Sequence, residues 1–210
     1  MARRHDLPDT LPMFVLPGAL MLPRTRLPLQ VFEPRYLQML DDTLKTDHRM
    51  IGIIQPAGDD LAPIGCAGRV VAFSENDDGR YMVSLKAVSR FQLTDATQGF
   101  TPYLKGGADW SDYARDRSGK PEDVDFDRDA FLGRLVRFME ARDLATDLDN
   151  ARQADAETLI NALSMLLPLA PEEKQALLEA QTLEDRLAML DGLIEYALRQ
   201  TGADHEERLQ

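Results

Sequence analysis

The sequence predicts an α+β fold in which a β-rich half is followed by a helical half. Three observations carry that prediction: runs of β-formers with a period of two between Met13 and Trp110, apolar residues at three-four spacing beyond the charged stretch after Trp110, and no βαβ alternation of the kind a parallel sheet requires.

In the first half, "RVVAF" and "RYMVSLKAV" flank "SENDDG", Ser74 to Gly79, a turn cluster with glycine where φ can be positive, so the three segments predict a hairpin. On its second strand Tyr81, Val83, Leu85 and Ala87 share the more apolar face, and Met82, Ser84, Lys86 and Val88 share the other. "MIGIIQ", "RFQLTD" and "TPYLKG" are further short strand candidates, and such spacing suggests a small closed or nearly closed sheet. One helix interrupts this half. Pro34 suits a first helical position, with Tyr36, Leu37, Leu40 and Leu44 as its core stripe.

"SDYARDRSGKPEDVDFD" then reads as an exposed connection carrying Gly119 and Pro121. Beyond it Phe131, Leu135, Phe138 and Met139 form one helical stripe, and Leu159, Leu163, Leu166 and Leu167 a second. Pro168 and Pro171 end one helix and start the next. Thr182 and Asp185 form a capping box ahead of Leu183, Leu187, Leu190 and Ile194, and "GADHEERLQ" reads as a frayed polar tail. The expected division is residues 1–118, β-rich, and 119–210, a helical bundle.

Composition removes several functions. A formal charge of -12 opposes the electrostatic term that drives nucleic-acid binding. A single cysteine, Cys66, allows no internal disulfide and suits a reducing cytoplasm. "MARRHD" before "LPMFVLPGALMLP" imitates a leader, but Pro12, Pro17 and Pro23 break the helix a leader needs, and no run is long enough to span a membrane. The histidines are His5, His48 and His205, two of them in terminal segments, so no general base stands out; no G-x-S-x-G, P-loop or G-x-G-x-x-G occurs. Asp41, Asp42, Asp47 and His48 cluster without the spacing of a metal site, and "DVDFDRD" lacks the glycine and distal glutamate of a calcium loop, so no metal or other cofactor is expected. Cys66, within "PIGCAGR", reads as a small core residue, and "GCAG" as a close backbone approach or bulge.

"LPMFVLPGALMLPRTRLPLQVFEPRYLQML" resembles the opening of the amino-terminal, substrate-binding domain of Lon proteases, especially of stand-alone bacterial proteins built from that domain only. "IGIIQP", "IGCAGRVVAFSENDDGRYMVSLKAVSRFQL" and "LAPEEKQALLEAQTLEDRLAMLDGLIE" extend the resemblance over about the whole chain. Phe14-Val15-Leu16-Pro17 stands where the family's strand commonly ends in F-P-L, Cys66 replaces a small residue common after the glycine, and a glycine common ahead of the R-F pair is missing from "KAVSRF". The resemblance implies a PUA-like pseudo-barrel with an inserted helix followed by a helical bundle. It also implies a non-catalytic module that engages unfolded or extended polypeptide, as an adaptor or in quality control beside a protease or chaperone, and cereblon shows the same fold used without proteolysis.

On that reading Phe32, Glu33, Arg35 and Tyr36 sit at the barrel mouth, Arg35 offering a planar fork and the rings apolar area. Phe100 and Tyr103, in "GFTPYLKGGADW", would line a groove beside a strand edge that accepts an extended peptide, with Trp110 assigned to packing. The bland alternative puts Phe32 and Tyr36 in junction packing and lets Glu33 cap the helix or pair with Arg35. A few apolar anchors of about 1.5 to 3 kcal/mol each, against an association cost of roughly 4 to 15 kcal/mol, give micromolar to millimolar binding, so weak homo-oligomers or delivery to a separate machine would supply avidity. Two readings compete: an RNA-binding module using Arg24, Arg26, Arg69, Arg80, Lys86 and Arg90 as a basic strip, and a small-molecule hydrolase for which only scattered carboxylates speak.

Overall fold

The computed structural model describes residues 7–77, 79–119, 122–144 and 148–207, with side chains outside that description at 148 and 201–207. His5, Pro121 and the His205 side chain therefore lie outside the described residues. The elements run β1 (Thr10–Val15), β2 (Arg26–Val31), α1 (Pro34–Leu44), β3 (Met50–Ile54), β4 (Pro56–Ala57), β5 (Asp60–Leu61), β6 (Ile64–Glu75), β7 (Tyr81–Thr97), β8 (Lys105–Asp109), a 3-10 helix (Ser111–Arg117), α2 (Arg128–Glu140), α3 (Leu148–Gln153), α4 (Ala156–Leu166), α5 (Pro171–Glu179) and α6 (Leu183–Glu207).

The main sheet has the order β2-β7-β6-β3-β1-β8, and β8 also pairs with β7. Five strands thus make a closed circuit of ladders, β7-β6-β3-β1-β8-β7, with only β1–β3 parallel. The circuit closes because β7 is long: its start pairs with β2 and β6, its end with β6 and β8. "RYMVSLKAV" and "RFQLTD", expected as separate strands, are this one strand. Leu11, Met13, Met50, Ile54, Ala67 and Phe91 fill the interior. A Cβ on Gly65 would come within 2.6 Å of Phe91 Cζ, and the β6–β7 register shifts between Ala67 and Gly68, so "GCAG" is both a close approach and a bulge. Cys66 is buried there.

The hairpin turn falls at Asn76 to Arg80, with Gly79 at φ +76°. "TPYLKG" is a strand only from Lys105: Pro102 lacks a ladder donor, and the Thr101 hydroxyl donates to Tyr103 O at 2.9 Å, fixing a bend instead. In α1 Pro34 takes the first turn, but the buried stripe is Tyr36, Met39, Leu40 and Thr43, with Leu37 and Leu44 half-buried.

The chain divides into two compact units: Met1–Gly119 with Leu167–Glu179, and Lys120–Leu166 with Ala180–Gln210. The helical stretch from 119 onward is therefore not one body, because α5 belongs to the β-rich unit. Polar bonds fasten it there. Gln55 accepts from Gly18 N at 3.0 Å and donates to Pro171 O at 3.1 Å; Gln175 donates to Ile64 O, and Lys174 to Gly18 O, both at 3.1 Å. Arg90 donates to Leu178 O at 3.1 Å while its fork grips Asp116 at 2.9 and 3.0 Å, with Tyr113 under the guanidinium. The bond from Arg90 satisfies an orphan carbonyl at the C-terminal end of this short helix, and the bond from Gln55 holds its start.

In the second unit α2 and α4 pack on α6 through Phe131, Leu135, Phe138, Leu159, Ile160, Leu183, Leu187, Leu190 and Ile194. The Thr182–Asp185 capping box is present, with Asp185 N donating to Thr182 Oγ1 at 3.1 Å and the Thr182 hydroxyl to Asp185 at 2.7 Å. The α4 stripe differs from expectation. Leu166 is exposed and Leu163 half-buried, whereas Asn161 and Ser164 are buried because Arg186 donates to Asn161 Oδ1 at 2.9 Å and Ser164 to Ile160 O at 2.8 Å. The backbone of Gly202 to Glu207, expected as a frayed tail, continues α6.

Candidate functional site

β3 pairs with β6 only from Cys66 to Arg69, so the rest of the hairpin extends beyond that ladder with β2 alongside, a three-stranded arm. Directly opposed residues share a face. One face carries Leu27, Leu29 and Val31 of β2, Tyr81, Val83 and Leu85 of β7, and Val70, Phe73 and Glu75 of β6. It is buried at Val70 and Leu85 near its root and at Val83 and Val31 along β7 and β2, and opens on β6, where Phe73 is 52% exposed. Phe73 lies 6.3 Å from Tyr81, and the Arg80 guanidinium sits 5.9 Å over the ring of Phe32, which is 59% exposed just past the end of β2. The opposite face carries Arg26, Pro28, Gln30, Met82, Ser84, Lys86, Arg69, Ala72 and Ser74. Val71, skipped by the register shift, and Met82 add exposed apolar area.

Among the described residues β2 pairs with one neighbour only, β7, so its outer edge is open. Ala87 N donates to Thr25 O, which sets Leu27, Leu29 and Val31 toward β7 and turns Arg26, Pro28 and Gln30 outward. Pro28 lies where its missing N–H costs no ladder bond. The edge expected in "GFTPYLKGGADW" is not open, because β8 pairs with β1 through Thr10 to Pro12 and with β7 on its other side.

The six sequence-predicted residues separate into two groups. Phe32, Glu33, Arg35 and Phe100 reach solvent; Tyr36 and Tyr103 are each 4% exposed and pack inward, so neither ring offers apolar area to a ligand. The Tyr36 ring is 4.0 Å from that of Phe14, its hydroxyl donates to Val15 O at 3.3 Å, and burial raises its pKa. Tyr103 donates to Asp42 at 2.9 Å, and burial pushes its pKa up to about 12. The Arg35 fork is occupied: Nε donates to Glu33 at 2.9 Å, Nη2 lies 2.8 Å from the same oxygen, and the guanidinium stacks 4.6 Å over Tyr36. Glu33 is the N-cap residue but makes no side-chain cap bond. Trp110 packs on Phe91, ring centres 5.7 Å apart, and donates to Pro8 O at 3.2 Å.

Of the six proposed basic-strip residues, Arg24 is spent on Asp116 O and Ser118, and Arg90 on Asp116; Arg26, Lys86 and Arg69 come together across three strands. Among the described residues no group of three or more His, Cys, Asp or Glu could hold a metal, and His48 Nδ1 accepts from Met50 N at 3.0 Å. No helix among them is long and apolar enough to cross a membrane. Phe73, Val71 and Met82 are exposed apolar residues that the sequence reading does not single out as candidates. The available signal was the length of the apolar run from Val70 to Phe73 relative to the short β3 it must pair with.

The sequence model described as the ATP-dependent protease La (LON) substrate-binding domain matches residues 10–195. Lon protease 2 of Myxococcus xanthus is 24% identical over 205 residues, 90% of this chain and 24% of that protein; Lon protease 1 of Bdellovibrio bacteriovorus is 25% identical over 202 residues, 88% and 24%. The chain thus spans about a quarter of the length of these curated relatives. A Lon N-terminal domain protein of Xanthomonas campestris superimposes with a TM-score of 0.63 at 23% identity, covering 86% of this chain and 96% of that one. The N-terminal domain of the Mycobacterium avium complex Lon protease gives 0.65 at 16% identity, covering 89% and 98%.

Proposed function

Because the chain belongs to the Lon substrate-binding domain family, we propose that it binds extended or unfolded polypeptide at the arm formed by β2, β6 and β7. The observation that carries this reading is the pairing of exposed apolar side chains, Phe32, Phe73, Val71 and Met82, with the open edge of β2. An edge supplies main-chain bonds that tolerate many sequences, and exposed rings supply anchors whose few rotamers limit the entropy lost on binding. Glu33 and Arg35 border the tip as a mutually neutralised pair that an incoming carboxylate or carbonyl can open, and Phe100 is a separate exposed ring.

The closed ladder circuit supports a PUA-like pseudo-barrel as the scaffold. Anchors of about 1.5 to 3 kcal/mol each, against association costs of roughly 4 to 15 kcal/mol, make single contacts weak, which favours a recognition role in delivery of clients to a protease or chaperone. The test is capture of the chain on an array of unstructured peptides. Phe73→Ser and Phe32→Ser each lower capture about tenfold with melting temperature unchanged, since losing one exposed anchor costs of the order of 1.4 kcal/mol of binding. Undiminished capture by the Phe32→Ser/Phe73→Ser double variant overturns the reading.

A further inference from the structure

The ladder register sets Arg26 directly opposite Lys86, and Lys86 directly opposite Arg69, on the arm's solvent face. We infer that this row is a charge-reading subsite that makes the domain prefer polypeptide segments carrying acidic side chains; the inference rests on the polypeptide-binding reading and narrows its client class.

Like charges directly opposed on adjacent strands destabilise a sheet. A carboxylate placed opposite would relieve that repulsion, and here 36 acids outnumber 24 lysines and arginines. Yet none of the nine residues on this face is acidic, and among the described residues none of the three cations forms an ion pair or hydrogen bond. Neighbouring strands lie about 4.8 Å apart, so the row spans about 10 Å, close to the screening length of about 8 Å at physiological ionic strength, and acts as one local field. Carboxylates at alternate positions of an extended chain are about 7 Å apart, which lets two of them reach the row together. Pro28 and the exposed Met82, further along the same face, offer apolar surface to side chains of the segment beyond the row.

The same features disfavour nucleic acid as the occupant. A continuous polyanion meets the net charge of -12 as soon as it leaves the row. Single-strand binding also relies on aromatic platforms, and this face has no aromatic ring; Phe73 and Tyr81 project from the other one.

The experiment is fluorescence anisotropy of the full chain with a labelled unstructured peptide bearing glutamates at alternating positions, its glutamine counterpart, and single-stranded oligouridylate as competitor. The glutamate peptide is expected to bind about tenfold tighter than the glutamine one, as charge contacts to the exposed Arg26 and Lys86 and the half-buried Arg69 allow, and to lose that advantage at about 300 mM salt. The combined Arg26→Gln, Arg69→Gln, Lys86→Gln variant binds both peptides equally and melts no lower than the parent, because a repulsion is removed; Lys86→Gln alone, at the centre of the row, moves binding the same way if the combined variant fails to fold. Equal affinity of the two peptides for the parent chain overturns the acidic preference and leaves the polypeptide reading standing. Failure to bind either peptide overturns both, and displacement of the glutamate peptide by sub-stoichiometric oligouridylate overturns the peptide assignment in favour of nucleic acid.

Discussion

Arg90 and Lys86 stand four residues apart on β7 and meet opposite fates. Arg90, at the root of the sheet, is buried with its whole fork committed to Asp116 and Leu178. Lys86, on the arm, is exposed between two other cations and forms no ion pair among the described residues. The root uses its polar groups to hold the protein's own segments together, above all α5 and the 3-10 helix. On the arm, Arg26, Lys86 and Arg69 form no ion pair among the described residues, and the rings of Phe32 and Phe73 are more than half exposed. That difference is the reason the proposed site is placed on the arm: side chains the fold does not bury or pair can contact a ligand without loss of stability.

If the root is a self-satisfied network, removing one partner should hurt most. Asp116→Ala strands a buried guanidinium and is expected to cost about 3 to 5 kcal/mol, read by denaturant unfolding. A cost under about 1 kcal/mol would show that the pair is not the lock described. Gln55→Ala removes the link among Gly18, Pro171 and Gln175 and is expected to cost about 1 to 3 kcal/mol, with hydrogen exchange accelerated first in α5. On the arm the contrast reverses: Phe73→Ser changes stability by less than about 0.5 kcal/mol while lowering peptide capture.

A smaller effect comes from His48. Burial, and then the nearby Arg69 charge, lower its pKa, partly opposed by Asp47. The unfolded chain therefore takes up a proton at His48 before the folded one does, so stability falls as pH drops below the ordinary histidine value of about 6.5. Melting curves between about pH 7 and 5 should show that loss, and His48→Gln should flatten it; an unchanged slope in the variant assigns the loss elsewhere.

Much of this was legible in the sequence because it depends on local pattern. The hairpin follows from Ser74 to Gly79, α1 from Pro34, the capping box from Thr182 and Asp185, and the family from ordered motifs that the match over residues 10–195 supports. What stayed hidden depends on partners distant in sequence. That α5 joins the β-rich unit is fixed by Gln55 and Arg90, more than eighty residues earlier, and Tyr103 is removed from the surface by Asp42. β8 loses its edge to the end of an unusually long β7, whose length no period-two pattern reveals. The basic strip named from the sequence becomes a row of three, Arg26, Lys86 and Arg69, only once the register is known.

Whether polypeptide lands on the arm can be read residue by residue from backbone amide chemical shifts of the full chain titrated with an unstructured peptide. The account predicts shifts concentrated at Arg26 to Phe32, Val71 to Glu75 and Arg80 to Lys86, with the root around Arg90 and Asp116 unmoved. Shifts centred on the Phe100 segment or on the helical unit, with the arm silent, would contradict it.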